Sequence, residues 1–142
     1  MSTNSTIAVQ HLDGTVSAVY CHWDGYLSHN GRILIDHYNS LQLAERLVDK
    51  GNISQLGDTI DTTKFFQEHE TVYADLDEYL STGSFQECNY LWTEYDDEFG
   101  NRVEGWLYSD DDAGFAYAAT GDESDWRPVV NLLEDLLEES GE

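Results

Sequence analysis

Of the 29 acidic residues in this 142-residue chain, 24 lie after Gly57, and this asymmetry sets the terms on which the chain can fold. Residues 1–57 carry five acids (Asp13, Asp24, Asp36, Glu45, Asp49) against Arg32, Arg46 and Lys50, a net charge of −2. Residues 58–142 carry the other 24 against Lys64, Arg102 and Arg127, a net of −21 out of −23 overall. Self-repulsion on that scale opposes the compact state and strengthens as salt falls. Confined to one part of the chain, it points to a surface built to be negative.

The rest of the composition shows that the chain nevertheless folds. Apolar residues make up 40%, with four Trp, nine Tyr and five Phe, too rich for an acidic disordered tail. The length suits one domain over residues 1–142 with a real core. There is no apolar run of about 18 residues, so no membrane span is expected. The opening Met1-Ser-Thr-Asn-Ser-Thr is not a basic patch before an apolar stretch, so no signal peptide is expected and the cytoplasm is the expected location. Cys21 and Cys88 lack metal-type spacing and read as small buried thiols rather than a disulfide or a metal pair. The acidity argues against direct contact with nucleic acid or an anionic membrane, and for a basic protein partner.

Along the chain, residues 6–12 and 15–21 read as strands joined by a two-residue Asp13-Gly14 turn. Residues 32–38 and 41–50 read as helices, the second with Ser40 as N-cap and Gly51 at its C-terminal end. Residues 52–70 show no pattern and are expected to be a loop. Residues 71–81 fit a helix with Val72, Leu76, Tyr79 and Leu80 along one side. Residues 88–95 and 102–109 form a second hairpin candidate, 114–120 a further strand, and 126–139 a closing helix with Pro128 in its first turn. The expected fold is α+β, one domain, with an antiparallel sheet of about four or five strands and three or four helices. Trp92 and Trp106 on the second hairpin are expected either in the core or at a homodimer contact.

The candidate functional surface is the acidic one. Carboxylates at alternate strand positions share a face about 6.8 Å apart, with the next strand about 4.8 Å away. On a helix, positions three or four apart lie about 5–6 Å apart. Such spacings can build a row of charge comparable to duplex DNA, at roughly one charge per 1.7 Å of axis. The second hairpin and its connections supply Glu94, Asp96, Asp97, Glu98, Glu104, Asp110, Asp111 and Asp112; the last loop adds Asp122, Glu123 and Asp125. In the closing helix, Glu134, Asp135, Glu138 and Glu139 crowd the C-terminal turns, where the helix dipole favours cations. Broken local rules of that kind mark functional surface. The competing readings are acids that only keep the protein soluble, and adaptation to a salt-rich cytoplasm. Salt adaptation should spread acid evenly, which the near-neutral first 57 residues do not.

Chemistry motifs are sparse. His22, Asp24, His29 and His37 are plausible zinc or iron ligands, but their spacing fits no motif, His29 and His37 being eight residues apart. Their alternative role is a metal-binding module or small metal-dependent enzyme. Calcium loops fail at both candidates: counted from Asp96 the sixth and twelfth positions are Asn101 and Leu107, and from Asp110 they are Phe115 and Gly121. There is no P-loop and no GxGxxG, and the few Lys and Arg cannot hold a phosphate substrate. No cofactor and no enzymatic activity are expected.

The segment Val19-Tyr-Cys-His-Trp-Asp-Gly-Tyr26, with His29-Asn-Gly31, Leu34, His37-Tyr38 and Gly51-Asn-Ile-Ser-Gln-Leu-Gly57, resembles a family of small uncharacterised proteins of tailed phages. The resemblance covers about the first 57 residues well and the region 79–106 loosely. It implies a phage source, and no activity. Phage genomes carry small acidic inhibitors of host defence, including DNA-mimic anti-restriction and anti-CRISPR proteins. By that analogy, the expected function is an inhibitor of a basic, nucleic-acid-binding host protein, of the restriction or CRISPR nuclease class, working in the host cytoplasm. The alternative to a defence role is an acidic phage accessory protein.

Overall fold

The computed structural model describes residues 3–67, 70–83, 86–97, 99–110 and 126–133. Two hairpins organise it. Strands β1 (Ser5–Gln10) and β2 (Val16–Cys21) pair antiparallel with Val9 opposite Ser17. The connection is longer than the two-residue turn that Asp13-Gly14 suggests. His11 N donates to Thr15 O (2.8 Å), Gly14 N donates to His11 O (3.0 Å), and only Gly14 takes a positive φ, at 92°. This is a three-residue loop ending in a left-handed glycine. Asp13 instead accepts from the Thr15 hydroxyl (2.7 Å) and amide (2.9 Å), which hold its carboxyl below the usual range.

The second hairpin repeats the device. Strands β6 (Cys88–Asp96) and β7 (Arg102–Asp110) pair antiparallel along their length. Asp97 N donates to Asn101 O (2.9 Å), Gly100 N donates to Asp97 O (3.0 Å), and Gly100 has φ 82°.

The expected antiparallel sheet of four or five strands is corrected. Strands β3 (Asn52–Gln55), β4 (Lys64–Gln67), β5 (Thr71–Tyr73) and β8 (Arg127–Pro128) complete a mixed, eight-stranded sheet. Its order is β4-β3-β2-β1-β6-β7-β8, with β5 also on β2. Two neighbours are parallel: β1 with β6, where Ile7 faces Tyr90, and β2 with β3 at Cys21 and Ile53. The parallel β2–β3 step follows from the helices between them, which carry the chain back so that it re-enters in the same direction. The combination of helices with a largely antiparallel sheet still agrees with the broader α+β reading.

Between β2 and β3 the chain makes a π-helical turn (Leu27–Gly31), then helices α1 (Arg32–His37) and α2 (Leu41–Asp49). Ser40 Oγ caps α2 by accepting from Leu43 N at 3.2 Å. The stretch expected as a loop contains β3 and β4, each only four residues long, too short for alternation to register. The stretch expected as one helix is divided: Thr71–Tyr73 pairs with Val16–Ala18, and α3 (Leu76–Thr82) begins only after Asp75, whose carboxylate accepts from Glu78 N at 2.9 Å. Val72, expected on the buried side of that helix, is 59% exposed. Near the end, Arg127 and Pro128 pair with Tyr108 and Leu107, so Pro128 sits in a short edge strand, where it is tolerated, and the helix starts at residue 129. The strand expected at 114–120 and the closing helix beyond 133 lie outside the described residues.

Side chains of alternate parity divide between two layers. Ile7, Val9, Val19, Ile53, Tyr90, Trp92 and Trp106 face α1, α2 and the 129–133 turn, forming the larger core with Leu34, Leu47, Val48 and Val129. Ala8, Val16, Ala18 and Leu91 face α3 and Trp126. Trp92 and Trp106 meet edge to face, centroids 5.6 Å apart, and Trp106 Nε1 donates to Tyr38 O at 3.1 Å. Both indoles are therefore core residues. Cys21 and Cys88 are both buried and pair with opposite sides of Ser5. They are thus two strand spacings apart, about 9.6 Å, beyond disulfide reach. Burial pushes the Cys21 thiol up from its ordinary value.

Candidate functional site

Because β1 and β6 run parallel, the turns that follow them emerge at the same end of the sheet. There the second hairpin extends past its core pair Trp92–Trp106, and its next positions on that face are Glu94 opposite Glu104, then Asp96 opposite Arg102. Like charges directly across a strand pair repel, by roughly 0.2–1 kcal/mol. Arg102 relieves this in part: its Nε lies 3.5 Å from Glu94 Oε2 and its Nη1 3.5 Å from Asp96 Oδ1. All three side chains are more than half exposed, so these pairs are weak. Asp97 points elsewhere, its carboxylate accepting from Phe99 N (2.9 Å) and Asn101 N (2.8 Å). It organises the turn, and its charge with burial raises the Tyr95 hydroxyl's pKa, burial being the larger cause.

The acidic surface read from the sequence is thus described in part. Glu94, Asp96 and Glu104 form one exposed group, Asp97 stands at the turn, and Asp110 ends β7 at the far end of the hairpin. Glu98, Asp111, Asp112, Asp122, Glu123, Asp125, Glu134, Asp135, Glu138 and Glu139 lie outside the described residues.

The four candidate metal ligands are divided among different partners. His22 Nδ1 bonds the Tyr20 hydroxyl at 2.8 Å, and the His22 ring packs edge-on against Trp23. His29 Nδ1 bonds Asn30 Oδ1 at 2.9 Å, with its Nε2 4.0 Å from Asp24 Oδ2. His37 Nε2 lies 3.6 Å from Asp58. Among the described residues, no group of three or more His, Cys, Asp or Glu side chains is arranged to hold a metal ion.

The His22–Tyr26 segment has a structural role. Asp24 takes a left-handed φ of 57°, and Gly25 N then donates to Thr3 O at 2.8 Å while Gly25 O accepts from the Tyr90 hydroxyl at 2.7 Å. A Cβ on Gly25 would stand 2.8 Å from Thr3 O and 2.9 Å from Ser5 Cβ, so only glycine fits. The segment locks the chain entering β1 to the centre of the sheet.

One constellation escaped the sequence reading. His11 follows β1, Ser17 lies on β2 and Glu45 on α2. His11 Nε2 is 2.7 Å from Ser17 Oγ, and His11 Nδ1 is 2.5 Å from Glu45 Oε2. No spacing rule links positions 11, 17 and 45. The available signal was a histidine at a hairpin end, in strand register with a serine, beneath an amphipathic helix.

The chain matches no protein-family model, no curated protein and no solved structure. No helix among the described residues is long and apolar enough to cross a membrane.

Proposed function

We propose that the protein is a phage-type inhibitor that occupies the nucleic-acid-binding surface of a basic host protein, of the restriction or CRISPR nuclease class. The observation that carries this reading is the Glu94–Glu104 pair. Two carboxylates face each other across an exposed hairpin that overhangs the core, with Asp96 beside them. The arrangement opposes the hairpin's own stability and offers closely spaced negative charge to a cationic cleft. The concentration of acid after Gly57, on a scaffold whose first 57 residues resemble tailed-phage proteins, supports the same reading. Electrostatic steering makes such an association fast and strongly salt-dependent.

The test is capture. The chain is immobilised in host-type lysate, and bound protein is eluted at fixed salt with duplex DNA. A nuclease or other DNA-binding protein displaced by the duplex supports the proposal. A broad set of basic proteins, released by salt but not by the duplex, contradicts it.

A further inference from the structure

A second site lies between the first hairpin and α2, in a cleft of about 450 Å³. His11, Ser17 and Glu45 line it, with Gln42 and Arg46 from α2. Its size is within the range of small-molecule sites. The bonding within the trio fixes a direction. An ionised Glu45 carboxylate can only accept, so the proton on the 2.5 Å contact belongs to His11 Nδ1. That leaves His11 Nε2 with its lone pair toward Ser17 Oγ, 2.7 Å away, so the hydroxyl donates to the imidazole. The order is nucleophile, base and orienting carboxylate, each within hydrogen-bond reach of the next and each on a different element. Ser17 is only 8% exposed, and its place in the cleft lining is its route to a ligand.

We propose that this cleft is an acyl-transfer site that hydrolyses small carboxylic esters, with Ser17 as nucleophile, His11 as general base and Glu45 as positioning residue. Ser17 Oγ attacks the ester carbonyl carbon as its proton passes to His11 Nε2, and the carbonyl π electrons move onto oxygen. Collapse of that intermediate expels the alkoxide, which leaves as the alcohol with the proton from Nε2. Water, losing a proton to Nε2, then attacks the acyl-Ser17 carbonyl. Release of Oγ, which regains that proton, yields the carboxylic acid and the free serine. Gln42 and Arg46 are the cleft's side-chain donors for the transient oxyanion. Asp49 and Glu70 also line the cleft, so the acyl group it takes is neutral or cationic. The site uses near-neutral scaffold residues and does not depend on the acidic hairpin as a binding surface.

The test treats the full chain with an alkyl fluorophosphonate and locates the adduct by peptide mass. p-Nitrophenyl butyrate hydrolysis is then followed for the wild type, Ser17→Ala, Glu45→Gln and Glu45→Asp. The expected result is one phosphonyl group on Ser17 and loss of turnover in Ser17→Ala. Glu45→Gln should lower kcat roughly 10²–10⁴-fold, with KM little changed and partial recovery in Glu45→Asp. An unlabelled Ser17 in the folded wild type, labelling scattered over other residues, or hydrolysis unchanged in a folded Ser17→Ala would overturn the proposal. The wild-type labelling result does not depend on any variant folding.

Discussion

The turns His11–Thr15 and Asp97–Asn101 are built alike, each with a left-handed glycine in the fourth position, and they leave the same end of the sheet. What surrounds them differs. The first lies beside α2, and its His11 reaches Glu45 on that helix and Ser17 on the neighbouring strand. The strand behind it is tied on the other face as well: the Tyr79 hydroxyl meets Thr6 Oγ1 at 2.8 Å, and Thr6 donates to Asn89 Oδ1 at 2.8 Å. The second turn spends its carboxylate on its own backbone, and the strands leading to it carry exposed acids in opposition. Polar residues near the first turn are held by other elements of the fold. Those at the second remain exposed for something outside it.

The comparison first requires that the second hairpin be rigid at its base and free at its tip. Trp106, 1% exposed, should therefore dominate: Trp106→Ala is expected to lose about 3–5 kcal/mol in urea unfolding. A loss below about 1 kcal/mol would mean that the base is not core and that the division between base and tip is wrong.

The first hairpin's tie to α3 makes a pH prediction. Burial raises the Tyr79 hydroxyl well above its ordinary 10.0, the bond to Thr6 opposing this in smaller measure. With the folded-state pKa above the unfolded one, this group's contribution to stability is intact below pH about 10 and is lost as pH rises past that value. Tyr79→Phe should remove up to roughly 1.4 kcal/mol per pH unit from the alkaline slope. Tyr90, buried and raised in the same direction, should keep part of the slope in that variant. Urea melts from pH 8 to 11 read the difference, and identical slopes in the two proteins would contradict the burial of Tyr79.

The smallest effect bears most directly on the tip. Glu104→Gln removes the like-charge opposition to Glu94, and is expected to stabilise the fold by roughly 0.2–1 kcal/mol at low salt. The gain should shrink toward zero as salt screens the exposed pair. A destabilised variant would show that Glu104 is held by the fold rather than offered to a partner.

Elements with strong local signals were legible in the sequence. The strand pairs around Asp13-Gly14 and Asp97–Asn101, the Ser40 cap of α2 and the burial of both thiols need only alternation, turn chemistry and apolar character. The four-residue β3 and β4 and the three-residue β5 leave no period to detect, and Val72 fits a helical stripe by coincidence. The parallel register of β1 with β6 is a long-range choice that no window contains. Pro128 looked like a first-turn residue because proline suits that position, yet it suits an edge strand as well. The opposition of Glu94 and Glu104 followed from hairpin register and was within reach. The meeting of His11, Ser17 and Glu45 depended on where α2 crosses the sheet.

The account's central claim is that the overhanging acidic tip is a binding surface. The most direct measurement takes the protein that duplex DNA displaces from the immobilised chain and compares its affinity for the wild type with that for Glu94→Lys/Glu104→Lys across a salt series. The account predicts a loss on the order of tenfold or more at low salt and a shallower salt dependence for the double variant, with its fold intact. Equal affinity and equal salt dependence in the two proteins would contradict it.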